Sequence, residues 1–282
     1  MRRLIVTAAD EGFMPLLRSL VGSIERCGLQ PSEALACLDV GMSAESRAWA
    51  ARHAAQVVEP GWDLPVGQGL RERQPHLRAL TGRPFLREYF PGYDVYLWID
   101  ADAWVQERFA LDWLFEAAAG GALAAVPQVD RAYRHDAGLL GWRMGRMEHY
   151  FGRAAGVRSL WDTYVNAGVF ALRADAPHWQ AWAGQFRRGL QASGGALCCD
   201  QTALNHALWE GGLPLHPLPA LCNWLCHLAM PVVDPVRGRF CEPFAPRRVL
   251  GIVHAAGKTK DVAAGVSREK SLRPATHSFP PP

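Results

Sequence analysis

Two aspartates directly follow a short apolar run of the chain. The residues Val-Tyr-Leu-Trp-Ile at 95–99 lead into Asp100, Ala101 and Asp102. Such a run predicts a strand that is buried on both faces of a sheet. Two neighbouring carboxylates repel each other and raise a pKa unless a positive charge lies between them, and carboxylate oxygens are preferred ligands of hard divalent cations.

The spacing of the two aspartates also bears on where they point. Alternate residues of an extended backbone face the same side, so we expect Asp100 and Asp102 to share one site. By themselves they indicate a metal or phosphate site. The alternative is a loop that carries two solvated aspartates.

The N-terminal part of the chain predicts a β-α-β-α-β order. Strands are predicted at 4–8, 34–40 and 56–59, and helices after the first strand and at 44–55. This order implies a mainly parallel sheet with right-handed crossovers. Ligands of such sheets bind beyond the carboxyl ends of the strands. Since Asp10 also follows a strand, we expect it to face the same crevice as the aspartate pair.

The rest of the chain continues this alternation. Helices are predicted near 69–81 and at 111–119, 176–190 and 199–209, and strands at 122–127, 165–172 and 249–254. Residues 128–160, where arginines alternate with aromatic residues, are predicted to be irregular, either a functional loop or a solvated surface. From residue 261 onward apolar periodicity is lost, and we expect a poorly ordered tail at 261–282. No internal repeat or interdomain linker is visible.

Composition excludes several classes of protein. The 282 residues carry a net charge of only +3, too little to argue for nucleic acid. No signal-peptide core and no long apolar stretch is present, so we expect a cytoplasmic protein, with peripheral membrane contact through arginines left open. The seven cysteines form no even framework and, without an export signal, are expected to be reduced thiols. Cys222, Cys226 and His227 match zinc spacing only weakly.

Four further motifs carry polar residues at the ends of predicted elements. They are TAADEGF at 7–13, VNAGVFAL at 165–172, CDQTALNHAL at 199–208 and VHAAGKTK at 253–260. Two of their residues have an ordinary explanation. Asp200 could cap a helix, and His254 could be a hydrogen-bonded core histidine.

Taken in order, these motifs and the aspartate pair resemble the family 8 retaining glycosyltransferases, over roughly residues 4–260. The resemblance implies an α/β fold with a single mixed, mainly parallel sheet flanked by helices, the type A nucleotide-sugar transferase fold. One departure is that Asp261 and Val262 follow Lys260, where the family usually has Pro-Trp. We therefore expect a glycosyltransferase domain at 1–260.

The resemblance also implies a role for each matched residue. Asp100, Asp102 and His254 would bind Mn²⁺ (or Mg²⁺), and Gly257 and Lys260 would lie at the phosphates of the donor. Ala8 and Asp10 would hold the base and ribose, and Arg83 is a looser match to a phosphate or base contact. Asn166, Asp200 and Gln201 would contact the donor sugar, with no secure covalent nucleophile among them.

The expected activity is metal-dependent transfer of a sugar from a nucleotide sugar, with UDP as the favoured nucleotide, to an unknown carbohydrate, lipid-linked or protein acceptor. We expect residues 128–160 and the tail to shape the acceptor pocket. One alternative is a non-catalytic nucleotide-sugar-binding protein of the same fold. A haloacid-dehalogenase phosphatase is a weaker alternative, because Trp104 stands where its motif has Thr or Val. A dinucleotide oxidoreductase lacks its glycine motif here.

Overall fold

The computed structural model describes residues 1–257 of the chain. Its strands are β1 (Arg3–Ala9), β2 (Glu33–Asp39), β3 (Gln56–Val58), β4 (Val95–Ile99), β5 (Ala103–Val105), β6 (Leu123–Pro127), β7 (Val165–Arg173), β8 (Leu215–Pro217), β9 (Trp224–Leu225), β10 (Val232–Asp234), β11 (Arg239–Cys241) and β12 (Ile252–His254). Its α-helices are α1 (Met14–Cys27), α2 (Ala44–His53), α3 (Gln68–Arg73), α4 (Arg78–Gly82), α5 (Leu86–Tyr89), α6 (Phe109–Ala119), α7 (Ala137–Phe151), α8 (Arg153–Arg158), α9 (His178–Ala192) and α10 (Asp200–Gly211).

Seven strands form one mixed sheet in the order β3-β2-β1-β4-β7-β6-β8. Strand β7 is antiparallel to both of its neighbours, and the other pairs in the sheet are parallel. The predicted α/β fold with a mainly parallel sheet is therefore confirmed. The parallel pairing of β1 with β4 places the carboxyl ends of these two strands at the same edge of the sheet.

Both faces of the sheet are covered, which explains the apolar run of β4. Leu97 and Ile99 belong to the core on one face, together with apolar residues of α1 and α6. Tyr96 and Trp98 belong to the core on the other face, together with residues of α9 and α10. All five residues of β4 are buried, as the sequence predicted.

Two predictions that concern helices were wrong. Residues 128–160 are largely helical, because Asp136 caps α7 by accepting from the backbone N–H of Leu139. The helix was not predicted because the glycines at 138, 141 and 145 have low helix propensity. Its buried face is formed by Arg143, Met147 and Tyr150. The helix predicted near 69–81 is split into α3 and α4, because Pro75 pushes Gln74 out of the helical conformation.

Two further observations concern the whole described region. All seven cysteines are free thiols, and none belongs to the group of side chains that could hold a metal. Within residues 1–257, no helix combines the length and the apolar character needed to cross a bilayer. The predicted tail at 261–282 lies outside the described residues.

Candidate active site

The two aspartates lie on a tight turn at the carboxyl edge of the sheet. Asp100 follows β4, and the backbone N–H of Ala103 donates to its carbonyl oxygen over 3.0 Å, which closes the turn into β5. The Asp100 N–H donates to the carbonyl oxygen of Gly168 on β7 over 2.8 Å. The expected extended backbone is therefore wrong, although the turn still brings both carboxylates to one place.

His254 reaches the aspartates through a second, three-stranded sheet. Strand β12 pairs antiparallel with β5, which sets His254 opposite Ala103, and pairs in parallel with β9. The imidazole Nε2 lies 3.2 Å from Asp102 Oδ1 and 3.8 Å from Asp100 Oδ2. These three side chains form a group whose ligand atoms lie within 4.8 Å of one another.

The donor set and the space around it fit a divalent cation. Two ligands at right angles on an ion with bonds of about 2.1 Å are roughly 3 Å apart, close to the 3.2 Å between His254 Nε2 and Asp102 Oδ1. Two carboxylates and one imidazole suit Mn²⁺. A Cβ built on Gly168 would lie 2.3 Å from His254 Cε1 and 2.6 Å from Asp100 Oδ2, so only glycine leaves this space open.

The carboxylate of Asp100 is oriented by two donors. Its Oδ1 accepts from the indole N–H of Trp98 over 2.7 Å and from the Arg83 guanidinium. The same guanidinium lies over the Trp98 ring, 4.5 Å from its centroid. Because Oδ1 is held in this way, Oδ2 is the oxygen that faces His254.

Charge and burial shift the pKa values of the site. Burial raises the pKa of Asp100, Arg83 opposes that shift, and the charge of Asp102 adds to it. Burial lowers the pKa of His254, but Asp102 and Asp100 outweigh burial and raise it overall. The two carboxylates therefore favour positive charge at His254.

Arg83 joins the aspartate turn to the start of α10. Its side chain is only 7% exposed, and one guanidinium nitrogen lies 2.7 Å from Asp200 Oδ2. That nitrogen also donates to the carbonyl oxygen of Ala167 over 3.3 Å. Arg83 had been expected at a phosphate or base. It lies in the site, but it is paired with two carboxylates.

Asp200 does not cap its helix. Cys199 occupies the N-cap position of α10 without a side-chain cap bond, and Asp200 is the first helical residue. Asp200 is 4% exposed and its Oδ2 is bound to Arg83, so it belongs to the polar group around the aspartate turn.

Asn166 and Gln201 are joined by a hydrogen bond. Asn166 Nδ2 donates to Gln201 Oε1 over 3.1 Å, and the same oxygen accepts from the backbone N–H of Ala167 over 3.0 Å. The predicted strand and helix starts thus bring Asn166, Asp200 and Gln201 together next to the aspartate turn.

The structure describes all but one of the residues that were expected at the nucleotide. Ala8 lies in β1 opposite Leu38, two residues beyond the last pair that links β1 with β4. Asp10 follows β1 and its Oδ1 accepts from the backbone N–H of Phe13 over 2.9 Å, which caps a 3-10 turn. Gly257 has a φ of +68°, which favours glycine. Lys260 lies outside the described residues.

One polar residue of the site was missed from the sequence. Asn223 is fully buried, and its Oδ1 lies 2.9 Å from Nδ1 of His254. Its Nδ2 donates to Asn166 Oδ1 over 2.9 Å. A single asparagine between Cys222 and Trp224 has no local pattern that could have marked it.

No protein-family model matches the sequence, and no curated protein matches it either. Solved structures do match in fold. The galactosyltransferase LgtC, solved with donor and acceptor sugar analogues, has a TM-score of 0.53 at 18% identity, over 93% of this chain and 95% of that one. Mouse xyloside xylosyltransferase 1, in its apo form, has a TM-score of 0.53 at 14% identity, over 92% of this chain and 98% of that one.

A third match is the bifunctional glycosyltransferase WbbM. Its TM-score is 0.56 at 13% identity, and the match covers 91% of this chain but 46% of the other. At these identities the likeness shows the fold alone. The chain therefore has the type A glycosyltransferase fold, with a group of two aspartates and a histidine at the carboxyl edge of its sheet.

Proposed function

We propose that this protein is a metal-dependent glycosyltransferase that moves a sugar from a UDP-sugar to an acceptor, with retention at the anomeric carbon. The observation that carries the proposal is the cluster of Asp100, Asp102 and His254 at the carboxyl edge of a type A sheet. Ligands of open α/β sheets bind at this edge. The resemblance to family 8 supports the retaining outcome.

The diphosphate of a nucleotide sugar leaves only if its charge is neutralised. A bound Mn²⁺ or Mg²⁺ would supply that neutralisation as a Lewis acid. Asp100 Oδ2, the carboxylate of Asp102 and His254 Nε2 would hold it, since these atoms already face one another. The imidazole favours Mn²⁺ of the two ions.

The donor would lie along the same edge of the sheet. Ala8 and Asp10, at the end of β1, would hold the nucleoside, and a carboxylate suits ribose hydroxyls. Asn166 and Gln201 would bind hydroxyls of the donor sugar. Asp200 is buried and paired with Arg83, so we assign it to positioning the sugar and not to covalent attack.

The phosphate and acceptor sides remain predictions. Gly257 and Lys260 are proposed to meet the phosphates, with Lys260 as a point charge on the leaving group. The acceptor, whether carbohydrate, lipid-linked or protein, is proposed to lie toward residues 128–160. Within this range, Trp142 is an exposed aromatic residue.

Thermal unfolding with nucleotide sugars tests the donor assignment. Ligands that bind only the folded state raise Tm, and two ligands that bind it at the same time raise Tm by more than either ligand does alone. We expect this for UDP with Mn²⁺. Calorimetry that detects no binding of UDP in the presence of Mn²⁺ would remove the donor assignment.

Substitution of one aspartate tests the metal assignment. Asp102→Asn is expected to lower the release of UDP from the donor at least about a hundredfold and to leave the fold intact. The matched control is Asp175→Asn, because Asp175 is an exposed aspartate paired with Arg173 away from the site. Transfer by Asp102→Asn at the rate of the control would contradict the metal assignment. Binding of UDP with Mn²⁺ but no transfer to any acceptor would instead favour the non-catalytic alternative.

A further inference from the structure

The structure contains a chain of amide groups that begins at a backbone N–H and ends at His254. The N–H of Gly168 donates to Asn166 Oδ1 over 2.9 Å. A backbone N–H can only donate, so the atom that faces it must be the oxygen of the Asn166 amide. The Asn166 nitrogen then faces Gln201 Oε1, which also accepts from the backbone N–H of Ala167.

The orientation of the Asn166 amide also fixes the orientation of the Asn223 amide. Asn166 Oδ1 also lies 2.9 Å from Asn223 Nδ2, and an oxygen acceptor requires a donor there. The amide of Asn223 is therefore oriented with its nitrogen toward Asn166 and its oxygen toward His254. Since Asn223 is fully buried, bulk solvent does not reach either end of the amide.

The last step decides which imidazole nitrogen of His254 carries a proton. Asn223 Oδ1 lies 2.9 Å from His254 Nδ1 and can only accept, so Nδ1 must be protonated. Its opposite nitrogen, Nε2, is then the one whose lone pair can bind a cation between Asp100 and Asp102. Asp102 lies 3.2 Å from Nε2 and favours the opposite tautomer, because its carboxylate would accept a proton placed on Nε2.

We propose that Asn223 is a positioning residue that keeps the proton on Nδ1 of His254 and so keeps Nε2 available to a divalent cation. The inference rests on the proposed function for the identity of the site. Its own content, the protonation of one nitrogen, is independent of sugar transfer. Partners of this kind set both the tautomer and the ring orientation of metal-binding histidines.

The first test uses the wild-type protein with ¹⁵N-labelled histidine. NMR assigns the His254 signals by their loss in His254→Gln. The Nδ1 signal is expected at the position of a protonated nitrogen, both without a cation and with Mg²⁺ and UDP. An Nδ1 signal typical of an unprotonated nitrogen in the wild type overturns the proposal, whatever any variant does.

The second test compares two substitutions of Asn223. Asn223→Leu removes the acceptor, and Mn²⁺ affinity, measured by electron paramagnetic resonance, is expected to fall 10- to 100-fold, in the range found for such partners. Asn223→Asp keeps an oxygen toward Nδ1. It is expected to lose stability, because it faces Asn166 Oδ1, while it retains the Nδ1 proton and Mn²⁺ affinity within about threefold.

The matched control is Gln185→Leu. Gln185 Oε1 lies 3.1 Å from Nδ1 of His206, so this change removes an amide from another histidine, away from the site. Mn²⁺ affinity should not change. Wild-type Mn²⁺ affinity in Asn223→Leu would overturn the positioning role. Failure of sugar transfer in the wild type, with the Nδ1 proton and the effect of Asn223→Leu intact, would contradict the proposed function alone.

Discussion

Gly168→Ala is the most direct test of how the site is packed. An added Cβ would lie 2.3 Å from His254 Cε1, 2.6 Å from Asp100 Oδ2 and 2.9 Å from Asn166 Oδ1. Two carbon atoms in contact are about 3.5 Å or more apart, so the imidazole would have to move by roughly 1.2 Å. The ring cannot turn away without loss of its contact to Asn223.

This displacement sets the expected magnitudes. Overpacking of a buried position costs about 1–3 kcal/mol of unfolding free energy, and we expect a value in that range for Gly168→Ala. Movement of one cation ligand by more than 1 Å should also lower Mn²⁺ affinity at least about tenfold, equal to about 1.4 kcal/mol. Urea unfolding without metal measures the first effect, and electron paramagnetic resonance of free Mn²⁺ measures the second.

The control for this prediction is Gly184→Ala. Gly184 is an exposed residue of α9, and an added Cβ there meets nothing within 4 Å. The substitution should therefore stabilise the helix by about 0.5–1 kcal/mol and leave Mn²⁺ affinity unchanged. If Gly168→Ala behaved like Gly184→Ala in both assays, the close packing of the site described here would be refuted.

Two further predictions concern buried charge. Arg83→Met should lower the unfolding free energy by about 3–5 kcal/mol in urea titrations, because Asp100 and Asp200 lose their shared guanidinium; a loss below 1 kcal/mol would contradict this pairing. Burial lowers the pKa of His206 from 6.5 to about 4, so between these pH values the unfolded chain binds a proton that the folded protein does not. Its contribution to stability is complete above pH 6.5 and is lost as the pH falls toward 4, by up to about 3 kcal/mol. His206→Gln should flatten this part of the stability curve, and an unchanged slope would show that His206 is not the group responsible.

Much of the fold follows from local patterns. The apolar run at 95–99 could be assigned to a doubly covered strand because burial on both faces requires continuous apolar residues. The starts of β7 and α10 could also be predicted from the sequence, and these starts carry Asn166 and Asp200. These features depend on residues that are close together in the sequence.

Local patterns failed where tertiary contacts overrode propensity. Helix α7 forms despite three internal glycines, because Met147 and Tyr150 bury its inner face and Asp136 caps its start. The aspartate turn was expected to be extended, because alternation of side chains was the only local guide. Its actual shape is set by β5, which returns to pair with β12.

The aspartate pair and its place after a buried strand were determined by the sequence itself, because a strand and its last residue are local properties. Only the tertiary structure decided which side chains surround the pair. The pairing of β5 with β12 brings in His254, and Arg83 binds an aspartate 117 residues away. Asn223 was invisible for the same reason, since its role is set by buried hydrogen bonds to residues far along the chain and not by its neighbours in sequence.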